Sequence, residues 1–236
     1  MNRNGFQQLA SLSIALILIL NAGWPARAQG TKAPYPSMAP FAQYLMDRNA
    51  EIALARSAAP PSVSRDATVV VLGPHGYETA VEGKNGFVCV VERSWMNPFD
   101  SPEFWNPKMR GPICHNPPAV RFILPINYLR TKMVLAGLSK AQISDGVKSA
   151  NAKKELPPQE PGAMSYMLSS QGNLGDATGH WLPHLMIYTP RTDAKAWGAN
   201  LPDTPVALLP ADPQDQQSVF LIPVGHWSDG TSAPAM

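Results

Sequence analysis

Apolar and polar positions alternate most clearly from Tyr77 to Trp95, Y-E-T-A-V-E-G-K-N-G-F-V-C-V-V-E-R-S-W, and the pattern predicts one β-hairpin. Asn85-Gly86 lies between two β-rich runs, and a type I′ turn needs φ > 0 at both central residues, which these two residue types accept. With that pair at the tip, Glu82 faces Cys89, Ala80 faces Val91, and Glu78 faces Arg93 as an opposite-charge cross-strand pair. Tyr77, Thr79, Val81, Val88 and Val90 share the more apolar face, which is assigned to the core. Cys89 points the other way, so the second face needs a cover too.

Upstream, Met38, Phe41, Leu45, Ile52 and Ala53 recur at helical spacing, with Asp47, Arg48 and Glu51 elsewhere. They predict a docked helix from Ser37, its cap, to Ala58, ended by Pro60-Pro61. Thr68–Leu72 reads as a short buried strand, and Gly73-Pro74-His75-Gly76 turns it into the hairpin. Asn116-Pro117 resembles an N-cap followed by proline at the first helical position, opening a helix to Ala136. Phe122, Ile126, Leu129 and Met133 face inward in it, Pro125 kinks it, and Gly137 stops it. Ser139 and Gln142 form a capping box for a second helix to about Lys154. Strands are expected at Ala163–Ser169, His184–Thr189 and Val219–Val224, with a weaker one at Val206–Leu209. The fold class is therefore α+β: a mainly antiparallel sheet with an N-terminal helix and a kinked helical pair packed on it.

The first 28 residues change the reading of compartment and charge. Arg3, the apolar run Leu12–Leu20 and the small-x-small site Ala26-Arg27-Ala28 read as a secretory signal, too short to span a bilayer comfortably. The expected organisation is residues 1–28 as signal, 29–61 as an N-terminal helical segment, and 62–236 as a single α+β domain. The signal contains two arginines and no acid, so 17 of the 19 basic residues remain beside 17 acidic ones. A net charge near zero, with no Lys/Arg cluster, gives nucleic acid or a membrane surface nothing to grip. Twenty-five scattered prolines favour ordered loops over long helices. The location implied is periplasmic or secreted.

Cys89 and Cys114 are the only cysteines. An exported chain with two cysteines most simply forms one disulfide, here around a loop holding Trp95, Phe99, Phe104 and Trp105. The alternative is two reduced, buried thiols.

Asn85-Gly86-Phe87-Val88-Cys89, Cys114-His115-Asn116-Pro117, Tyr166-Met167-Leu168 and Pro183-His184-Leu185-Met186 follow one another in this order. Together they resemble a group of exported bacterial proteins with an N-G-x-x-C, C-x-N-P, Y-M-L, P-H-x-M pattern. The resemblance implies one exported domain with a paired cysteine, and it carries over no catalytic role.

Candidate chemistry is sparse. G-x-S-x-G, H-E-x-x-H, P-loop and G-x-G-x-x-G signatures do not occur. Asp176, His180 and His184 are the candidate metal ligands, with Glu78, His75 or His226 available to complete a shell, and zinc is the metal that such a set would take. Gly179 and Pro183 oppose a helix between the two histidines, and on an extended strand they stand about 13 Å apart. The alternative places His180 in a loop and His184 at a strand start, hydrogen-bonded locally. Glu78 and Glu82 are too far apart along a strand for a close acid/base pair. Trp95, Trp105, Trp181, Trp197 and Trp227 lie in or beside loops, where an exposed indole could stack on a flat ligand and a buried one would lock the loop. Of these, Trp95, Trp105, Trp181 and Trp227 are the ligand-binding candidates. The leading expectation is an exported, non-catalytic protein without a cofactor that binds a small molecule or a polymer, or serves a structural role. A metal-dependent hydrolase using His180 and His184 is the alternative.

Overall fold

The computed structural model describes residues 34–176, 179, 181–209 and 217–234. The proposed signal, residues 1–28, and His180 lie outside them. Eight strands, β1 (Thr68–Gly73), β2 (Gly76–Val81), β3 (Val88–Glu92), β4 (Gly111–His115), β5 (Met164–Met167), β6 (His184–Pro190), β7 (Ala207–Leu208) and β8 (Gln217–Pro223), form one sheet. Its order is β2-β1-β3-β4-β5-β6-β8-β7. Every pairing is antiparallel except β1 with β3. Among the described residues four α-helices accompany it: α1 (Arg48–Arg56), α2 (Pro61–Ser64), α3 (Pro117–Leu135) and α4 (Lys140–Ala152). The α+β class with a sheet-dominated core is as the sequence predicts.

The hairpin is where the sequence misleads. β2 and β3 do not pair, because β1 lies between them, antiparallel to β2 and parallel to β3. The reason is visible in the burial. Val69, Val70, Val71 and Leu72 of β1 are all buried, as are Val88 to Val91 of β3, so each run needs neighbours and cover on both sides. β2 keeps Glu78 and Thr79 exposed, which suits an edge. Asn85-Gly86 serves instead in a short connection around the start of β1. The Asn85 Oδ1 accepts from Phe87 N–H (3.0 Å), its amide donates to Val63 O (2.8 Å), and Lys84 N–H donates to Asp66 O (2.8 Å). Gly86 does take a positive φ, 78°. Gly83 is required by proximity, since a Cβ there would sit 2.1 Å from the Thr68 nitrogen.

One face of β1, β3 and β4 packs on α1 through Val69, Val71, Cys89, Val91 and Cys114 against Leu54, Ala55, Ala58 and Ala59. Cys89 and Cys114 are directly opposed on adjacent strands and form the disulfide, wholly buried. The single helix expected from Ser37 to Ala58 is in fact a 3-10 turn at Phe41–Tyr44 and then α1, capped by Asp47, whose carboxylate accepts from Ala50 N–H (2.9 Å). The break lets Tyr44 enter the core, with its hydroxyl donating to Trp105 O (2.8 Å). It also turns Glu51 inward, where it pairs with Arg93 (2.8 Å). Arg93 is therefore not the partner of Glu78, which pairs with Arg48 on the surface.

α3 and α4 follow their local signals. The Asn116 side chain accepts from Ala119 N–H (3.1 Å), Gly137 has φ 74°, and Ser139 and Gln142 close a capping box. α3 runs through Pro125, which leaves the Arg121 carbonyl without its usual helical donor. Alongside Phe122, Ile123, Leu124 and Met133, α3 buries three polar side chains, Asn127, Arg130 and Thr131. Thr131 accepts from the Trp95 indole (3.1 Å). Among the described residues no helix is long and apolar enough to cross a membrane.

Candidate functional site

Strand register lays one row of side chains across the sheet face that α3 covers. Pairings of Val88 with His115, His115 with Ser165, and Ser165 with Met186 put these four residues on that face. Two-residue periodicity adds Glu92 on β3, Met167 on β5, and His184 and Tyr188 on β6. Leu124 of α3 packs on Val70, Val88, Val90 and Ile113, and Phe122 and Ile123 pack on Tyr188; beside them lies a cavity lined from β3, β4, β5, β6 and β8.

The cavity has two adjoining lobes of about 160 and 340 Å³ that share Glu92, Met96, Pro98, Met186 and Leu209. The smaller lobe is closed by Ile123, Ile126, Asn127 and Arg130 of α3. The larger lobe adds Met109, Met167, Leu174 and Trp181. Four methionines thus meet here from three segments: Met96 and Met109 from the loop that the disulfide closes, Met167 from β5 and Met186 from β6. Thioethers on unbranched side chains make an adaptable, polarisable wall.

Two polar edges interrupt that wall: Asn97, Ser101 and Glu103 in the larger lobe, and a corner around Glu92, Asn127 and Arg130 in the smaller one. The Asn127 amide donates to Glu92 Oε1 (2.7 Å). Arg130 is anchored by donation to Asn97 O (2.6 Å), and its guanidinium lies 4.3 Å from the Phe99 ring centre. Burial pushes the Glu92 carboxyl above its usual range, while the Asn127 bond and the Arg130 charge pull it back in part. Glu92 therefore keeps its proton to a higher pH than an exposed glutamate does.

Beneath the cavity floor runs a chain of polar contacts. His115 Nδ1 lies 2.7 Å from Ser165 Oγ, Ser165 Oγ donates to the Tyr188 hydroxyl (3.1 Å), and that hydroxyl points to Met186 Sδ (3.8 Å). Since the Ser165 proton goes to Tyr188, the ring must donate at Nδ1. Burial lowers the His115 pKa to about 3, so the imidazole is neutral at physiological pH. His115 and Ser165 are wholly buried, which sets this array apart from a solvent-accessible nucleophile and base. It orients Tyr188 and Met186 in the cavity wall.

The candidate residues of the sequence separate in space. Trp181 lines the larger lobe and meets His184 edge-on, with ring centres 4.8 Å apart. Trp95 is wholly buried against Tyr44 and Phe41, a packing residue rather than a stacking platform. Trp105 is buried edge-to-face on Phe104 and borders a surface hollow with Tyr35, Met38 and Lys140. Trp197 stacks on Phe220, and Trp227 sits in the C-terminal turn, where its backbone N–H donates to Thr231 O (2.9 Å). Asp176 is exposed and accepts from the Tyr35 hydroxyl. His184 is buried at the start of β6, with Nδ1 on Leu182 O (2.7 Å). Among the described residues no three of His, Cys, Asp and Glu gather as a metal-binding group.

Sequence reasoning missed Glu92, Asn127, Arg130 and the methionines. Asn127 and Arg130 carried a signal, since both fall between apolar positions of the α3 stripe, where a polar residue has to be satisfied from within the fold. Comparisons with protein-family models, curated proteins and solved structures find no match.

Proposed function

We propose that this is an exported, non-catalytic binding protein that holds a small, largely apolar molecule in the methionine-lined cavity, with a hydrogen-bonding group of the ligand facing Glu92. The observation that carries this reading is the larger lobe, about 340 Å³, lined by Met96, Met109, Met167, Met186, Leu174 and Trp181, with Glu92 at its junction with the smaller lobe and Ser101 and Glu103 at a second polar edge. Ligand sites are commonly apolar clefts of about 300–1,000 Å³ with a few convergent polar groups. The polar groups here are held in place: Asn127 on Glu92 and Arg130 on backbone carbonyls. That arrangement suits orientation of a ligand better than turnover. Export to the periplasm or beyond is supported by the pattern of residues 1–28 and by the buried disulfide, a bond that persists in oxidising compartments.

A thermal-shift screen of the mature chain against small aromatic and aliphatic alcohols, amides and amines tests the reading. A true ligand raises Tm with concentration, because it binds only the native state. Its effect should vanish in Met186→Trp, which fills the cavity, and should weaken in Glu92→Gln. Hits that persist unchanged in Met186→Trp would place binding elsewhere and refute the proposal.

A further inference from the structure

Adjoining the main cavity, and sharing Met167, Leu174 and Trp181 with its larger lobe, is a small void. It is about 10 Å³, lined by Met167, His184, Trp181, Leu174, Ser169, Gly172 and Pro112. That is room for one water-sized particle, not for an organic molecule.

The His184 imidazole is prepared for a ligand on one side only. Its Nδ1 lies 2.7 Å from the Leu182 carbonyl, and a carbonyl can only accept, so Nδ1 carries the proton. The lone pair is then on Nε2. The ring is 3% exposed, and Nε2 has no hydrogen-bond partner within the protein. A histidine fixed through Nδ1–H on a backbone carbonyl, with Nε2 left as donor atom, is the arrangement that orients imidazole towards a metal.

Register supplies the second donor. Met167 on β5 is directly opposite His184 on β6, so the two side chains leave the sheet side by side on one face. Met186 follows two residues along the same face. Trp181 completes the wall, its indole edge-on to the imidazole. The donor set is imidazole nitrogen and thioether sulfur beside an indole ring, with no carboxylate among the residues lining the void. Thioether sulfur selects soft ions, whereas magnesium and calcium require oxygen ligands. An indole adds favourable interaction with a cation that has lost its water.

We propose that His184 and Met167, with Trp181 covering them, form a binding site for a soft monovalent metal ion, copper(I) in its natural setting, with silver(I) as the redox-inert probe. The site shares Met167, Leu174 and Trp181 with the larger lobe of the organic-ligand cavity, whereas His184 lines only the void and Glu92 only the cavity, so variants of these two residues separate the two readings.

The experiment uses the untagged mature chain with its disulfide intact. Silver(I) is added in a non-coordinating buffer and followed by native mass spectrometry, Tm and Trp fluorescence; copper(I) is measured anaerobically against a chromophoric chelator. The expected result is one ion per chain, a raised Tm, quenching that disappears in Trp181→Phe, and a shifted His184 Nε2 resonance in nitrogen-15 spectra. Met167→Leu conserves volume and leaves the fold intact. It should weaken silver binding about tenfold or more, the scale seen when support for a metal is removed. Glu92→Gln should leave silver binding unchanged while altering the organic-ligand response. Silver that fails to bind, binds equally well to Met167→Leu, or leaves the His184 resonance in place would overturn the proposal.

Discussion

Glu51 on α1 and Arg93 at the end of β3 form an ion pair of 2.8 Å in which neither side chain exposes more than 1% of its surface. Every remaining bond is arranged around it. Leu72 N–H donates to the second Glu51 oxygen (3.0 Å), and Arg93 donates to Tyr44 O (2.7 Å) and Val91 O (2.5 Å). The pair joins the N-terminal 3-10 turn, α1, β1 and β3 at one point. Removing one partner leaves a buried charge uncompensated, so Glu51→Ala is expected to cost about 3–5 kcal/mol. Urea denaturation followed by Trp fluorescence measures this. A loss below ~1 kcal/mol would show that water enters and solvates Arg93.

The disulfide closes a sequence separation of 25 residues. Loop-closure entropy assigns it about 3.5 kcal/mol. The double variant Cys89→Ala/Cys114→Ala should lose stability of that order. Mass spectrometry after alkylation of the unreduced, unfolded protein should find no free thiol. Two alkylated cysteines in material from the native compartment would contradict the bridge.

Gly83→Ala places a Cβ against the backbone of Ala67 and Thr68, at 2.3 and 2.1 Å, where no flexible side chain can yield. The link between β2 and β3 must then shift, at a cost on the order of 3 kcal/mol or more. Gly137→Ala is the instructive contrast. It meets nothing within 4 Å and suffers only from its positive φ of 74°, so it should lose about 1 kcal/mol. Equal losses in both variants would show that the link is pliable.

Buried His115 and half-buried Glu92 make stability depend on pH with opposite signs. The folded-state pKa of His115 is depressed, from 6.5 to about 3. The unfolded chain therefore holds more protons between those values. The contribution of His115 is complete above about pH 6.5 and is lost as pH falls towards 3. Glu92 is shifted upward from 4.5, so the folded state holds the extra proton. Its contribution is complete below that value and is lost as pH rises through the folded pKa. Glu92→Gln should remove the loss of stability that sets in as pH rises above 4.5 and leave the His115 contribution in place. An unchanged profile in Glu92→Gln would mean that this carboxyl titrates as if in water.

Local chemistry was legible in the sequence wherever a signal and its partner lie within a few residues. The Asn116 cap, the Ser139–Gln142 box and the Gly137 stop all stand where the pattern put them. Asn85-Gly86 shows the limit. Its turn chemistry is real, but the partner of each strand is chosen by burial on both faces, and that brought β1 between β2 and β3. Glu51 was misread for a related reason: a three-residue break before Arg48 rotates the helix, and no periodicity count spans a break. The cavity was hidden because its wall draws Met96, Met109, Met167 and Met186 from distant segments, each an ordinary apolar position in its own context.

The sheet has a seam. β4 and β5 share only two residue pairs, Cys114 with Tyr166 and His115 with Ser165, and α3 and α4 intervene between them along the chain. Closing so long an excursion costs entropy that must be met before the pairing returns anything. The first four strands lie within residues 68–115, hold the disulfide between them, and leave the ribosome first. The last four depend on a template already laid down. A molecule that opens along this line keeps its disulfide and its buried ion pair and gives up Met167, His184, Met186 and Tyr188 together. Occupancy of the cavity and cohesion of the two half-sheets are thus one equilibrium, and hydrogen exchange along β5 and β6 should slow when a ligand is bound.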